Sequence, residues 1–157
     1  MFLHYRCGLN FPFCYSLLLP IVRRDHSEMI DSMTMQKLNR ESLLALEVEN
    51  PASPCYCALG PCPGWESFTE ERWPRAKMRQ LGTLRDPGVY EPTQEEHHPD
   101  GTRYASPEAP MALAFFPCNV SDVYACDTCK RVLLRYTEFG GYYVDHRVRE
   151  LDLKLVV

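Results

Sequence analysis

Residues 130–151, with the sequence KRVLLRYTEFGGYYVDHRVREL, decide the fold of this chain. Two runs rich in β-branched and aromatic residues flank Gly140 and Gly141, and such a glycine pair predicts a two-residue hairpin turn. Antiparallel pairing across that turn sets Phe139 opposite Tyr142. One face of the hairpin then collects apolar side chains and is expected to lie on the core; its members are Leu133, Phe139, Tyr142, Val144 and Val148.

The other face of the predicted hairpin is expected to point outward. It mixes charged and aromatic side chains, and tyrosine and arginine are enriched where proteins contact each other. We therefore predict a partner-binding surface on this face, formed by Tyr136, Tyr143, Asp145, Arg147 and Arg149.

A C-x-x-C pair, Cys126 and Cys129, directly precedes the hairpin. A tight turn with this spacing can bring two thiolates to one metal ion. The pair and the hairpin after it resemble the zinc-ribbon group, whose sites use two such cysteine pairs at the tips of adjacent hairpins. The resemblance covers residues 122–150, and it implies Zn²⁺ as a cofactor and a second pair of cysteine ligands elsewhere in the chain.

The second pair is expected within CYCALGPC, residues 55–62. Cys55 and Cys57 are two positions apart, so in an extended segment both side chains point to one face. Cys57 and Cys62 also have a spacing that zinc sites use. Either choice completes a four-cysteine site with a structural role, because the free energy of metal binding would stabilise a chain rich in loops.

Histidines are weaker candidates for ligands. His97 and His98 occupy a long loop that can fold back over the metal site, so both stay open as ligands. His146 is predicted to pair with Arg135, six residues past Cys129, and this places it roughly 20 Å from the cysteine pair at about 3.3 Å per residue. We therefore expect His146 to be a partly buried core residue.

The rest of the chain predicts one or two helices and a further strand. A short helix is expected over residues 39–48 with Asn39 as its N-cap. A second is expected over residues 68–81, kinked or split at Pro74. Residues 110–118, an apolar run bounded by prolines, indicate a buried strand. The pattern predicts an α+β domain with a small antiparallel sheet, a C-terminal β-hairpin and zinc-stapled loops.

Residues 33–157 are expected to form this single zinc-binding domain. Residues 1–32 contain an apolar run of 12 residues, Phe11 to Val22, whereas a membrane-spanning helix needs about 20. Arg23 and Arg24 follow where a signal peptide would have its cleavage site. We interpret residues 1–32 as a disordered or dispensable leader or an over-extended start, with a signal peptide as the alternative. We expect a cytoplasmic protein that binds no membrane.

Overall composition favours a protein that binds another protein over one that binds nucleic acid. The net charge is −4, and 24% of the residues are charged, so the chain as a whole does not attract polyanions. We predict a non-catalytic, zinc-stabilised module that binds another protein, of an immunity or adaptor type. A metal-dependent or thiol-redox enzyme is the alternative, and nucleic-acid contact through a basic helix over residues 72–85 is a second; that segment carries Arg72, Arg75, Lys77, Arg79 and Arg85.

Overall fold

Five antiparallel strands form one sheet in the part of the chain that the structure describes. This computed structural model describes residues 35–46 and 59–157. The strands lie in the order β1-β5-β4-β3-β2, so the C-terminal hairpin occupies the middle of the sheet. Their bounds are Glu66–Phe68 (β1), Met78–Thr83 (β2), Asp122–Cys126 (β3), Val132–Gly140 (β4) and Tyr143–Glu150 (β5).

The predicted C-terminal hairpin is confirmed, but its turn lies one residue further along the chain. Gly140 pairs with Tyr143 as the last residue of β4, and the turn consists of Gly141 and Tyr142. Gly141 has φ +56°, a left-handed conformation that glycine adopts without a steric cost. Phe139 therefore pairs with Val144 and not with Tyr142.

Apolar side chains cover both faces of the sheet at its base, the end of the β4–β5 hairpin that lies away from the turn. Only one covered face was expected. Leu133 and Val148 are buried on one face, and Leu134 and Tyr136 are buried on the other. The unbroken apolar run Val132-Leu133-Leu134 is the sequence signature of a strand buried on both sides. Irregular segments that include Trp65, Met111 and Cys118 supply the second layer.

Helix α1, Arg40–Leu44, begins at the predicted N-cap. The Asn39 side chain accepts a hydrogen bond from the Ser42 backbone, and the Ser42 hydroxyl accepts one from the Asn39 N–H, which is a complete capping box. The expected helix over residues 39–48 therefore begins as predicted; residues 47–58 lie outside the described part.

The second predicted helix, over residues 68–81, is wrong. Two single 3₁₀ turns, Glu70–Arg72 and Arg75–Lys77, lie on either side of Pro74. The chain then enters β2, which pairs with β3. Proline stops the helix, and pairing with a buried neighbour outweighs the helix propensity of the residues that follow.

The strand expected over residues 110–118 is also wrong. Met111 makes only an isolated bridge to Val156, and the segment continues through turns to a 3₁₀ turn at Cys118–Val120. Met111, Ala112 and Cys118 are buried as expected, but Ala114 is exposed, and the segment covers the sheet as a loop. In the described ranges no helix has the length and apolarity needed to cross a bilayer.

Candidate functional site

Some of the predicted metal ligands lie in the described part of the chain, and others lie outside it. Cys55 and Cys57 lie outside the described part of the chain. Cys62 and Cys126 are fully buried in one apolar cluster, and Cys129 packs against the same cluster. Cys126 ends β3, and the turn after it includes Lys130 in a left-handed conformation, φ +63°. The structure thus brings the described cysteines from both predicted pairs to one cluster.

Arg131 connects the turn after Cys126 to the segment that begins at Leu59. It is 5% exposed, and its guanidinium donates to the Leu59 carbonyl at 2.8 Å and to the Gly60 carbonyl at 3.1 Å. It also contacts the Glu150 carboxylate at 3.3 Å. The two regions that zinc was expected to join are therefore joined by a buried arginine.

Arg149 connects a second pair of loops in the same way. It is 1% exposed, and it donates to the carbonyls of Pro63 at 3.0 Å, Pro107 at 2.9 Å and Ala109 at 2.6 Å. Burial lowers the pKa of the Arg149 guanidinium. Several hydrogen bonds to carbonyl oxygens replace the water that this charge loses.

Arg149 and Tyr136 therefore do not lie on the outer face where the sequence was expected to place them. Tyr136 is 4% exposed; its hydroxyl hydrogen-bonds the Tyr104 hydroxyl, and its ring packs edge-on against Trp65 and Phe116. Burial raises the pKa of Tyr104 to about 12 and raises that of Tyr136 as well. Both phenols are neutral and act as core residues.

The end of the β4–β5 hairpin extends beyond its neighbouring strands on both sides. The last pair between β3 and β4 is Asp122 with Arg135, and the last pair between β1 and β5 is Phe68 with His146. No described strand pairs with the outer edges of residues 136–140 and 143–145. We call residues 136–145 the hairpin ribbon.

Large apolar side chains of the hairpin ribbon face solvent. Phe139 is 77% exposed, and its cross-strand partner Val144 is 62% exposed. Tyr142, in the turn, is fully exposed, and the predicted contact residue Tyr143 is 54% exposed. Phe139 and Val144, together with Tyr142 in the turn, form an exposed apolar patch of the kind that marks interaction sites, although the sequence was expected to place all three on the core. Tyr143 pairs with Gly140 and therefore lies on the opposite face, where its hydroxyl is 3.5 Å from the Glu138 carboxylate.

Charged side chains on the opposite face of the ribbon largely neutralise one another. Arg147 Nε lies 2.8 Å from the Glu138 carboxylate and 3.3 Å from the Asp145 carboxylate. The Ser67 hydroxyl donates to Asp145 at 2.6 Å. The predicted contact residues Asp145 and Arg147 are half-buried in this network, so they fix the shape of the ribbon from the face opposite its apolar patch.

Among the described residues, the group that most resembles an enzymatic site consists of Glu96, His98 and Thr102. His98 Nε2 lies 2.7 Å from the Glu96 carboxylate, and His98 Nδ1 lies 3.0 Å from the Thr102 hydroxyl. The cavity beside this group measures about 10 Å³, which is about the space that one water molecule needs. The hydrogen bonds of His98 to Glu96 and Thr102 stabilise this loop. His97 stacks on Phe115.

The positions and burial of the described cysteines do not favour redox chemistry. Cys126 ends a strand and is fully buried, whereas reactive C-x-x-C thiols lie at a helix N-terminus and are partly exposed. Cys118 lines the small cavity beside His98, and burial raises its pKa to about 12.

The basic segment over residues 72–85 is not a helix, and acidic residues accompany its cations. Arg75 pairs with Glu70, Arg79 Nε lies 3.4 Å from Asp127, and Arg85 Nε lies 3.6 Å from Asp122. Arg72 lies over the Phe68 ring. A surface whose cations are paired in this way does not favour a polyanion.

No family model, curated protein or solved structure matches the chain. The zinc-ribbon resemblance is wrong, because in residues 35–46 and 59–157 no three His, Cys, Asp or Glu side chains form a group able to hold a metal ion. The resemblance rested on one C-x-x-C pair and the hairpin after it. A strand, a turn and a strand also produce that pattern without a metal, when the cysteines pack in an apolar cluster.

Proposed function

We propose that this chain is a non-catalytic interaction domain that binds another protein through the hairpin ribbon, residues 136–145. The observation that carries the proposal is the exposed apolar patch at the end of a hairpin whose base lies in the middle of the sheet. An adaptor or immunity role is consistent with such a surface.

The ribbon offers main-chain and side-chain contacts together. Beyond Arg135 on β4 and beyond His146 on β5 no described strand covers the backbone edge, and an open edge can pair with an extended segment of a partner. Phe139 and Val144 share one face. The expected partner is therefore an extended segment. Its backbone adds a strand to the sheet, and its apolar side chains, at alternate positions, cover this face.

The base of the hairpin keeps the ribbon in place before a partner arrives. Leu133 and Leu134 are fully buried on opposite faces of β4, and Arg149 connects β5 to the covering loops through three carbonyl groups. A surface that is ordered before binding loses less conformational entropy when the complex forms. The patch is thus presented by a rigid support.

A structural zinc ion remains a proposal within this function. Cys62, Cys126 and Cys129 share one apolar cluster but do not form a group able to hold a metal ion among the described residues. The proposal therefore depends on Cys55 and Cys57, which lie outside the described part of the chain. Metal analysis of the reduced protein tests it. Stoichiometric zinc that Cys126→Ser and Cys57→Ser remove would support a structural ion, and its absence from the wild-type protein would end the proposal.

The binding function is tested by affinity measurement after a partner has been captured with the full chain. Phe139→Ser combined with Val144→Ser removes the apolar face of the ribbon without touching the buried base. We expect this variant to bind the purified partner at least tenfold more weakly, as central apolar anchors usually account for most of the affinity.

Tyr90→Ser is the matched control. Tyr90 is 96% exposed and lies outside the ribbon, so its loss removes a similar exposed ring from another surface. Equal thermal unfolding of all proteins would show that the fold is intact. Unchanged affinity of the Phe139 and Val144 variant, or equal weakening by Tyr90→Ser, would contradict the proposal.

A further inference from the structure

A second surface feature, separate from the hairpin ribbon, is a cavity of about 600 Å³ beside the start of α1. The loops after β2 and before β3 form its other walls. Small-molecule sites usually measure about 300–1,000 Å³, so the cavity has the size of a ligand site. Its lining is mostly apolar and includes Leu38, Leu84, Val89, Pro92, Leu113, Ala114 and Val157.

Contacts between different segments hold the walls of the cavity in place. Lys37 and Asp86 form an ion pair across 49 residues of sequence. The Asn119 side chain donates to the Thr93 carbonyl at 2.9 Å, and the Leu38 N–H donates to the Thr83 carbonyl at 2.7 Å. The space is therefore preformed, and a ligand would not have to open it.

Two polar features of the cavity wall point to the chemistry of a ligand. Arg40 is exposed and has no ion-pair partner in the described ranges, whereas the neighbouring Lys37 is neutralised by Asp86. Asn119 Oδ1 is buried and has no hydrogen-bond partner among the described residues. This oxygen is closed off from the cavity, so an N–H or O–H group of a ligand would satisfy it once the Asn119 side chain turns Oδ1 towards the cavity.

We propose that this cavity binds a small amphipathic acid with an apolar body, a hydrogen-bond donor and a carboxylate, as in an N-acyl amino acid. The apolar body packs among Leu38, Leu84 and Leu113. The carboxylate lies at the rim, where Arg40 offers a planar pair of donors that fits it. The donor group lies towards Asn119.

Isothermal titration of the full chain with N-decanoylglycine tests the site. We expect saturable one-to-one binding to the wild-type protein. Arg40→Gln should weaken it at least fivefold, and the neutral N-decanoylglycine amide should bind the wild-type protein more weakly by a similar factor. Val89→Asp, which places a negative charge at a half-exposed position of the wall, should weaken binding of the acid as well.

A filling variant and two controls make the result specific. Ala114 is exposed at the cavity wall, so Ala114→Trp fills the space from outside and should abolish binding. Arg103→Gln removes an exposed arginine elsewhere, and Phe139→Ser alters the hairpin ribbon; neither should change the affinity. Absence of saturable binding to the wild-type protein would overturn the proposal, and so would equal binding by the wild-type, Arg40→Gln and Ala114→Trp proteins.

Discussion

Two buried arginines hold loops of this molecule to its sheet through hydrogen bonds. Arg131 and Arg149 are buried at 5% and 1% exposure, and their guanidinium groups bond to the carbonyls of loops that are distant in sequence. Proline-rich loops leave many carbonyls without ladder partners, since proline supplies no N–H. A guanidinium carries five donors in a fixed plane and can satisfy several of these carbonyls at once.

Arg149→Leu is expected to destabilise the fold by about 3 kcal/mol or more, because three buried carbonyls lose their donor. Arg147→Leu, on the same strand, should cost about 1 kcal/mol or less, since the ion pairs of Arg147 are partly exposed. Urea unfolding monitored by tryptophan fluorescence measures both. Equal destabilisation by the two substitutions would contradict the conclusion that Arg149 holds these loops to the sheet.

Gly82 marks a close approach between backbones at the edge of β2. A Cβ atom there would lie 2.5 Å from the Gln36 carbonyl oxygen and 2.8 Å from Leu38 Cγ. Gly82→Ala should therefore cost about 1–3 kcal/mol. Gly60→Ala is the control, because a Cβ at Gly60 meets nothing within 4 Å. Equilibrium unfolding of both variants checks the difference, and a harmless Gly82→Ala would refute the close approach.

At the scale of elements, Glu70 links a 3₁₀ turn to the sheet. Its carboxylate pairs with Arg75 of the following turn and with Arg135 of β4. The hydrogen bond from Arg75 contributes most to lowering the pKa of Glu70, and Arg135 lowers it further against the opposing effect of desolvation. The ionised form is therefore favoured in the folded state.

A lowered pKa makes the contribution of Glu70 depend on pH in one direction. Stabilisation is present above the ordinary pKa of 4.5 and is lost as the pH falls through the lower folded value. We expect wild-type protein to exceed Glu70→Gln in stability by about 1 kcal/mol or less at pH 7. The difference should vanish in strong acid, and unfolding curves from pH 7 to pH 2 measure it.

The background variant Arg75→Gln provides the control for Glu70. This substitution removes the hydrogen bond that lowers the pKa of Glu70 most. The loss of stability caused by Glu70→Gln at neutral pH should therefore be smaller in this background. A difference that stays constant across the whole pH range would show that an effect other than ionisation separates the two proteins.

Sequence patterns predicted the hairpin and the cap of α1 because both depend on local rules. A glycine pair between two β-rich runs allows few other structures, but the two glycines fit more than one turn position, and the pairing of Gly140 with Tyr143 selected the later one. The helix over residues 68–81 failed for a non-local reason: β2 pairs with β3, which lies 39 or more residues later in the chain.

The candidate surface was predictable in part for the same reason. Alternation along β4 and β5 placed Phe139 and Val144 on one face, as the structure shows, but it assigned that face to the core, whereas both side chains are exposed. It could not show where β1 and β3 end, and those ends decide that Val148 is buried and Val144 is exposed. The burial of Arg149 was missed because arginine normally marks a solvent face; the signal available was the number of prolines in the loops around Pro63 and Pro107, whose carbonyls Arg149 binds.

At the scale of the whole molecule, the fold separates support from contact surface. Two apolar layers and two buried arginines fix the base of the sheet, while the hairpin ribbon carries its apolar side chains beyond that base. Apolar residues of this size are exposed at a free energy cost, and the cost is recovered when a partner covers them. The proposed protein-binding role rests on this exposed patch, which the stability of the fold does not require.

Site-directed photocrosslinking in the cells that produce the chain tests this claim most directly. A benzophenone amino acid replaces Phe139 or Tyr142 in the ribbon, or Tyr90 as the exposed control. We expect one discrete partner to be crosslinked from both ribbon positions and not from Tyr90. No adduct from the ribbon positions, or the same adducts from Tyr90, would contradict it.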